Sequence, residues 1–106
     1  MSSITLADRA LAAFKSSDYL TAITLYTTAL SSSPEALDYY LKRSIAYQRT
    51  SQPELSLRDA EIALTVAKKR GKREAIGAAQ MRRGIALYQL KRYGDAGFCF
   101  REAEKR

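Results

Sequence analysis

Residues 39–63, YYLKRSIAYQRTSQPELSLRDAEIA, decide the fold. Within them Arg43, Ser44, Ser56 and Ala63 have counterparts 34 positions earlier, at Arg9, Ala10, Ala22 and Ala29. They have counterparts 40 positions later as well, at Arg83, Gly84, Ala96 and Ala103. A period near 34 that returns small residues to matching points marks stacked helical hairpins, each needing its neighbours to bury its apolar face. The expectation is an all-α chain of three hairpins in a short right-handed α-solenoid, a scaffold for binding and not an enzyme.

Working outward, six helices follow from apolar spacing. The first runs from about Ile4 to Lys15 and the second from Tyr19 to about Ser32. Ser33-Pro34-Glu35 reads as a start signal for the third, with a capping serine and proline at the first helical position. Ser51-Gln52-Pro53-Glu54 repeats it for the fourth, with a capping box. Gly71 reads as the cap that ends the fourth helix. The fifth holds Met81, Gly84, Ile85 and Leu87, and the sixth runs from about Tyr93 to the end. Short turns force antiparallel hairpins, with Ala10 facing Ala22, Ser44 facing Ser56, and Gly84 facing Ala96. The repeats span about 3–36, 37–70 and 77–106. The six residues inserted near 71–76 lengthen the helices on either side of Gly71.

At 106 residues the chain makes one domain, and 46% hydrophobic with 27% charged residues is an ordinary globular balance. No apolar run approaches the ~20 residues that a membrane crossing needs, and no leader pattern opens the chain. There is no histidine and a single cysteine, Cys99, so His-assisted nucleophiles, Cys/His zinc sites and an internal disulfide drop out. No phosphate-cradling glycine loop is present and no cofactor is expected. A lone thiol fits a reducing compartment, the cytoplasm or nucleus. The net charge of +7 is uneven: residues 54–106 carry thirteen basic and seven acidic side chains, against five and four before them. Such a half attracts acidic partners.

The repeated positions resemble the tetratricopeptide (TPR) family. Its pattern is met by Leu6, Arg9-Ala10, Ala13, Ala22, Tyr26, Ala29 and Pro34, then by Tyr40, Arg43-Ser44, Tyr47, Ser56, Ala60 and Ala63. The third repeat supplies Gln80, Arg83-Gly84, Leu87, Ala96, Phe100 and Ala103, with Ala13, Ala60 and Gln80 as weak substitutes. The arginines are expected to pack their stems while their charges reach water. A narrower resemblance rests on 67–77, AKKRGKREAIG, and on Met81-Arg82-Arg83-Gly84 through Phe98-Cys99-Phe100. Both are similar to the fungal suppressor-of-G-two-allele co-chaperones, built from TPR, CS and SGS parts. That resemblance implies a TPR adaptor that contacts the Skp subunit of SCF ubiquitin ligases, works beside a heat-shock chaperone and self-associates.

Other TPR co-chaperones grip a chaperone's terminal carboxylate with Lys, Asn, Asn, Lys and Arg. Those slots hold Ala7, Leu11, Lys42, Ala78 and Arg82 here, and only Arg82 is retained. A buried carboxylate needs charged or amide donors, so an ordinary clamp is not expected. Helical geometry instead places Leu11, Leu41, Ile45, Met81 and Ile85 along the inner face, flanked by Lys42, Arg49, Arg82 and Tyr88. An apolar floor with a basic rim suits a hydrophobic, acidic partner segment, although the same apolar residues would also serve as hairpin core.

Three further features bear on partners. Lys68, Lys69, Arg70, Lys72 and Arg73 form a basic corner, readable as an import signal, a phosphate patch or a solvated helix end. No aromatic residues interleave to stack on bases, which argues against nucleic acid. Cys99 between Phe98 and Phe100 reads as core. With no polar capping helix by Arg106, Leu87, Leu90, Phe98 and Phe100 are expected to be partly uncovered, an end suited to a homodimer. Two alternatives stay open beside the Skp adaptor: a chaperone-tail receptor with an atypical clamp, and a basic solenoid that binds nucleic acid.

Overall fold

The computed structural model describes residues 5–105. Six helices follow one another: α1 (Leu6–Lys15), α2 (Tyr19–Ser32), α3 (Leu37–Arg49), α4 (Pro53–Arg70), α5 (Arg73–Gln89) and α6 (Tyr93–Glu104). They pair as three antiparallel hairpins in a stack of 50 × 30 × 20 Å. Each helix packs on the next, and α3 also touches both α1 and α5. Among the described residues the even-numbered helices do not touch one another, so α1, α3 and α5 form the inner row and α2, α4 and α6 the outer.

The turns repeat as the sequence does. Ser17, Ser51 and Lys91 take left-handed backbone, with φ of 62°, 60° and 63°. In each hairpin the next residue's N–H reaches back to a carbonyl in the last turn: Asp18 to Ala13, Gln52 to Tyr47 and Arg92 to Leu87, all at 2.9 Å. Gly71, φ 63°, closes α4 the same way, with Lys72 N–H on the Ala67 carbonyl at 3.0 Å. These are Schellman closures, which satisfy helix-end carbonyls at the cost of one left-handed residue. Only at Gly71 is that residue a glycine, so only there does the backbone go without strain.

Two of the start signals are corrected. Ser33 ends α2, its N–H on the Ala29 carbonyl, and 33–36 form a β-turn closed by Ala36 N–H to Ser33 O at 3.1 Å. Pro34 is the second residue of that turn and α3 begins at Leu37. Proline at 53 does open α4, but Ser51 is the left-handed residue of the preceding turn and no side chain caps this helix. A capping box exists where it was not expected: Asp8 N–H donates to Thr5 Oγ1 at 3.0 Å, and Thr5 N–H to the Asp8 carboxylate at 3.3 Å. The first helix therefore starts at Leu6; Ile4 and Arg106, at the expected helix ends, lie outside the described residues.

The core is built largely from alanine, which lets the helices approach closely. Ala10, Ala22, Ala46, Ala60, Ala63, Ala67, Ala79, Ala86 and Ala96 are all buried. Ser44 and Ser56 meet as expected, each hydroxyl donating to the other's carbonyl at 2.8 Å. The space at Gly84 is filled by a different residue from the one expected: a Cβ there would lie 2.5 Å from the Phe100 ring. Phe100 sits sixteen positions after Gly84, the offset that also relates Ala10 to buried Tyr26. Gln80 is buried with its Oε1 unpartnered among the described residues, a local cost at a slot where Tyr40 instead donates its hydroxyl to the Pro34 carbonyl.

Arg43 departs most from expectation. Its guanidinium ends in a pair and not in open solvent: Nε and Nη2 donate to the two Asp59 carboxylate oxygens at 2.7 and 2.8 Å, and Nη1 donates to Thr27 at 3.0 Å. Its carbon lies 5.8 and 5.6 Å from the Tyr40 and Tyr47 ring centres. The side chain of Asp59 is 2% exposed and that of Arg43 15%. The hydrogen bond to Asp59 outweighs burial and raises the Arg43 pKa above its ordinary value. Arg83, at the same slot, reaches Glu61 at 3.3 Å and the Cys99 sulfur at 3.3 Å, both on weaker terms. Cys99 is buried, and burial pushes its thiol pKa up.

Breaking a buried bidentate pair strands its partner. Asp59→Ala should lower the unfolding free energy by about 3 kcal/mol in urea titration. A loss below about 1 kcal/mol would mean that the pair contributes no more than a surface bridge.

Candidate interaction site

The inner row gathers cations from the second and third hairpins. Lys42 of α3 lies half-buried with its Nζ 5.6 Å from the centre of the Phe14 ring. One helical stretch later, the Arg49 guanidinium lies 6.0 Å from the Tyr19 ring, and Tyr19 packs edge-on against Phe14 at 5.7 Å. Arg82 of α5 is half-buried and close enough to Arg49 to feel its charge. Burial first, and the Arg49 charge second, lower the Arg82 pKa below its ordinary value. None of these three cations makes an ion pair among the described residues, in contrast to Arg43, Arg83 and Arg92. An unpaired, partly desolvated guanidinium beside a second one is unfavourable for folding and favourable for an incoming carboxylate.

Of the residues expected on the inner face, Leu11, Leu41, Ile45 and Ile85 are half-buried and Met81 is 37% exposed. They thus serve as part core and part surface. Tyr88 is exposed and packs edge-on against Tyr93 of α6 at 5.1 Å, which ties it to its own hairpin turn. Of the clamp slots, Ala7 and Leu11 are half-buried and Ala78 is exposed, and none carries a donor.

A cavity that the sequence reading missed opens at the end of this row. It measures about 820 Å³ and is lined by Leu37, Asp38 and Leu41 of α3, by the turn Arg70–Arg73, and by Glu74, Ala75 and Ala78 of α5. The inserted residues create it. α4 has 18 residues against 14 in α2, and α5 has 17 against 13 in α3, while the connecting turn shrinks to Gly71 and Lys72. Each helix of this junction gains about one turn and projects past the start of α3. The signal was present in the interval of 40, whose extra residues lengthen the two helices that line the cavity.

The basic corner is divided. Lys69 and Arg70 approach the Glu35 carboxylate at 3.8 and 3.9 Å, and Arg70 also donates to the Glu35 carbonyl at 2.6 Å, tying this corner to the α2–α3 turn. Lys68, Lys72 and Arg73 are exposed. At the far end, Leu87 is corrected: it is 2% exposed, packed with Ala96, Cys99, Leu57 and Phe100, and offers no surface. Leu90 and Phe100 are half-buried, and Phe98 and Tyr93 are 50% and 56% exposed.

Comparison with known proteins adds the architecture's name. No family model matches the chain. The first TPR domain of Spaghetti (RPAP3), solved bound to the HSP90 peptide SRMEEVD, superposes with a TM-score of 0.83 at 23% identity, over 94% of this chain and 75% of that one. The Sgt2 TPR domain from Aspergillus fumigatus gives 0.80 at 32% identity, over 92% of this chain and 61% of that one. The chain folds as a TPR domain. In sequence it is 39% identical over 79 residues to mouse tetratricopeptide repeat protein 28, which covers 74% of this chain and only 3% of that protein. The all-α hairpin stack read from the 34-residue period is therefore the observed one. No helix is long and apolar enough to cross a membrane among the described residues.

Because Arg82 is half-buried beside Arg49 and makes no ion pair among the described residues, its charge should not support the fold. Arg82→Gln is expected to leave the thermal midpoint unchanged or slightly raised. A fall of more than about 5 °C, the equivalent of about 1 kcal/mol in a domain this size, would make Arg82 a structural residue.

Proposed function

We propose that this TPR domain is a protein-interaction adaptor whose inner row receives an acidic segment with apolar side chains. The observation that carries the reading is the set of unpaired cations: Lys42 against Phe14, the exposed Arg49 against Tyr19, and the half-buried Arg82. Their long-range attraction would speed the encounter, while the half-buried floor at Leu11, Leu41, Ile45 and Ile85 would supply the apolar contact. Nothing in this arrangement offers a nucleophile or an acid–base pair, and the role is binding without catalysis.

The finer reading is a co-chaperone-type adaptor of the cytoplasm and nucleus. Two partners fit its chemistry. A Skp-type SCF subunit is implied by the resemblance of 67–77 and 81–100 to the suppressor-of-G-two-allele co-chaperones. A chaperone tail is favoured by Arg82 at the one retained clamp slot, and by the acidic peptide held by the Spaghetti domain of the same fold. Self-association through Tyr93, Phe98 and Leu90 belongs to the same proposal.

Titrating the chain with a Skp-type protein, with the peptide SRMEEVD and with single-stranded RNA separates the readings. Binding by one of the first two is expected, weakened by salt and reduced about tenfold or more in Arg82→Gln, as for loss of a charge-assisted hydrogen bond. RNA binding alone, unchanged in Arg82→Gln, would overturn the proposal in favour of the basic corner. For the self-association end, sedimentation across a concentration series should show a dimer that Phe98→Ser abolishes. A monomer at every concentration would remove that part.

A further inference from the structure

The cavity beside the lengthened α4–α5 hairpin differs electrostatically from the inner row that it opens onto. Its rim holds Arg70, Lys72 and Arg73, but also Asp38 and Glu74, so the signs are mixed and a carboxylate gains little there. Arg70 is moreover engaged with Glu35. The floor, by contrast, is Leu37, Leu41, Ala75 and Ala78, with no polar side chain. One helical turn along α5 from Ala78 stands Arg82, which has no carboxylate partner among the described residues. An apolar cup and an unpaired cation are thus set side by side on one helix.

We infer that the cavity is an anchor subsite for an apolar side chain of the partner segment, placed two residues from the carboxylate that meets Arg82. The inference rests on the inner-row reading above and adds to it the composition and spacing of the ligand. Ala78 and Arg82 are four residues apart on α5, a rise of about 6 Å. An extended peptide covers that distance in about two residues at roughly 3.3 Å each. The occupant is therefore an acidic peptide with a leucine-sized residue at a spacing of two from an acid. Selectivity comes from the cup, since Arg82, Arg49 and Lys42 accept acids of any sequence. The six-residue insertion, which a regular 34-residue repeat lacks, is what supplies the cup.

The test uses two fluorescein-labelled eight-residue peptides and the whole chain. One reads serine, leucine, serine, glutamate, glutamate, serine, leucine, serine; the other has serine in place of both leucines. Ala78→Phe fills the cup from an exposed helix position, and Arg82→Gln removes the cation. The leucine peptide is expected to bind the wild-type chain about tenfold or more tightly than the serine peptide, as burial of one such side chain implies. Ala78→Phe should erase that difference while leaving the serine peptide's affinity alone, and Arg82→Gln should weaken both peptides. Equal binding of the two peptides by the wild-type chain overturns the subsite and leaves the acidic row standing. A leucine preference that survives Ala78→Phe also overturns it, by placing the apolar contact elsewhere. Failure of both peptides to bind overturns the inner-row reading and the subsite with it.

Discussion

The stack depends on one ion pair. Arg43 stands where the other hairpins place Arg9 and Arg83, yet only here does the outer helix supply an acid at the right height, Asp59. The guanidinium joins three helices in succession through Thr27 of α2, its own neighbours Tyr40 and Tyr47 on α3, and Asp59 of α4. A buried pair of this kind adds less net stability than its geometry suggests, because both charges have left water. Its effect is on arrangement. With Asp59 committed, α3 cannot rotate without stranding a charge, and every inner-row residue keeps its facing. Lys42, adjacent in sequence, is thereby held toward Phe14 of α1, and Arg49 toward Tyr19 of α2.

The middle hairpin is accordingly the polar one. Ser44 and Ser56 exchange hydroxyl–carbonyl hydrogen bonds at the crossing where the first hairpin has alanines and the third has glycine against a phenylalanine ring. Satisfied polar contacts are directional, and alanine contacts are not. The central unit is fixed in register and its neighbours pack against it. Charge is distributed on the opposite principle: pairs are satisfied in the core and left unsatisfied along the inner row. Arg82, half-buried next to Arg49, is left without a carboxylate partner among the described residues.

Much of this was legible in the sequence, for a physical reason. Small residues recur where helices cross, and the crossing distance tolerates nothing larger, so Ala10, Ala22, Ser44 and Ser56 announced their contacts. Gly71 announced the end of α4 because left-handed backbone favours glycine. Pro34 misled because φ near −65° suits both the first residue of a helix and the second residue of a turn; the N–H of Ser33, already used by α2, decides between them. Ser17, Ser51 and Lys91 were silent, since two serines and a lysine take the left-handed backbone that glycine would announce. Asp59 was silent for another reason. Whether an arginine stem ends in water or in a pair depends on a residue sixteen positions away, and helix periodicity does not reach across a turn. The cavity fell outside the reading because it is made by ends, and helix ends are the least sharply encoded part of any helix.

The inserted residues at the α4–α5 junction arrive as close to one whole turn per helix, with the connection shortened to match. A whole-turn extension returns each side chain to the azimuth it had before, so the serine, alanine and arginine contacts below it are not disturbed. A change of two residues per helix would have rotated the continuing faces by roughly half a turn and turned polar residues into the core. Such a stack can thus be edited at its rim in steps of helical pitch. The shape of one end of the groove is free to diverge while the remainder stays under the constraint of its crossings.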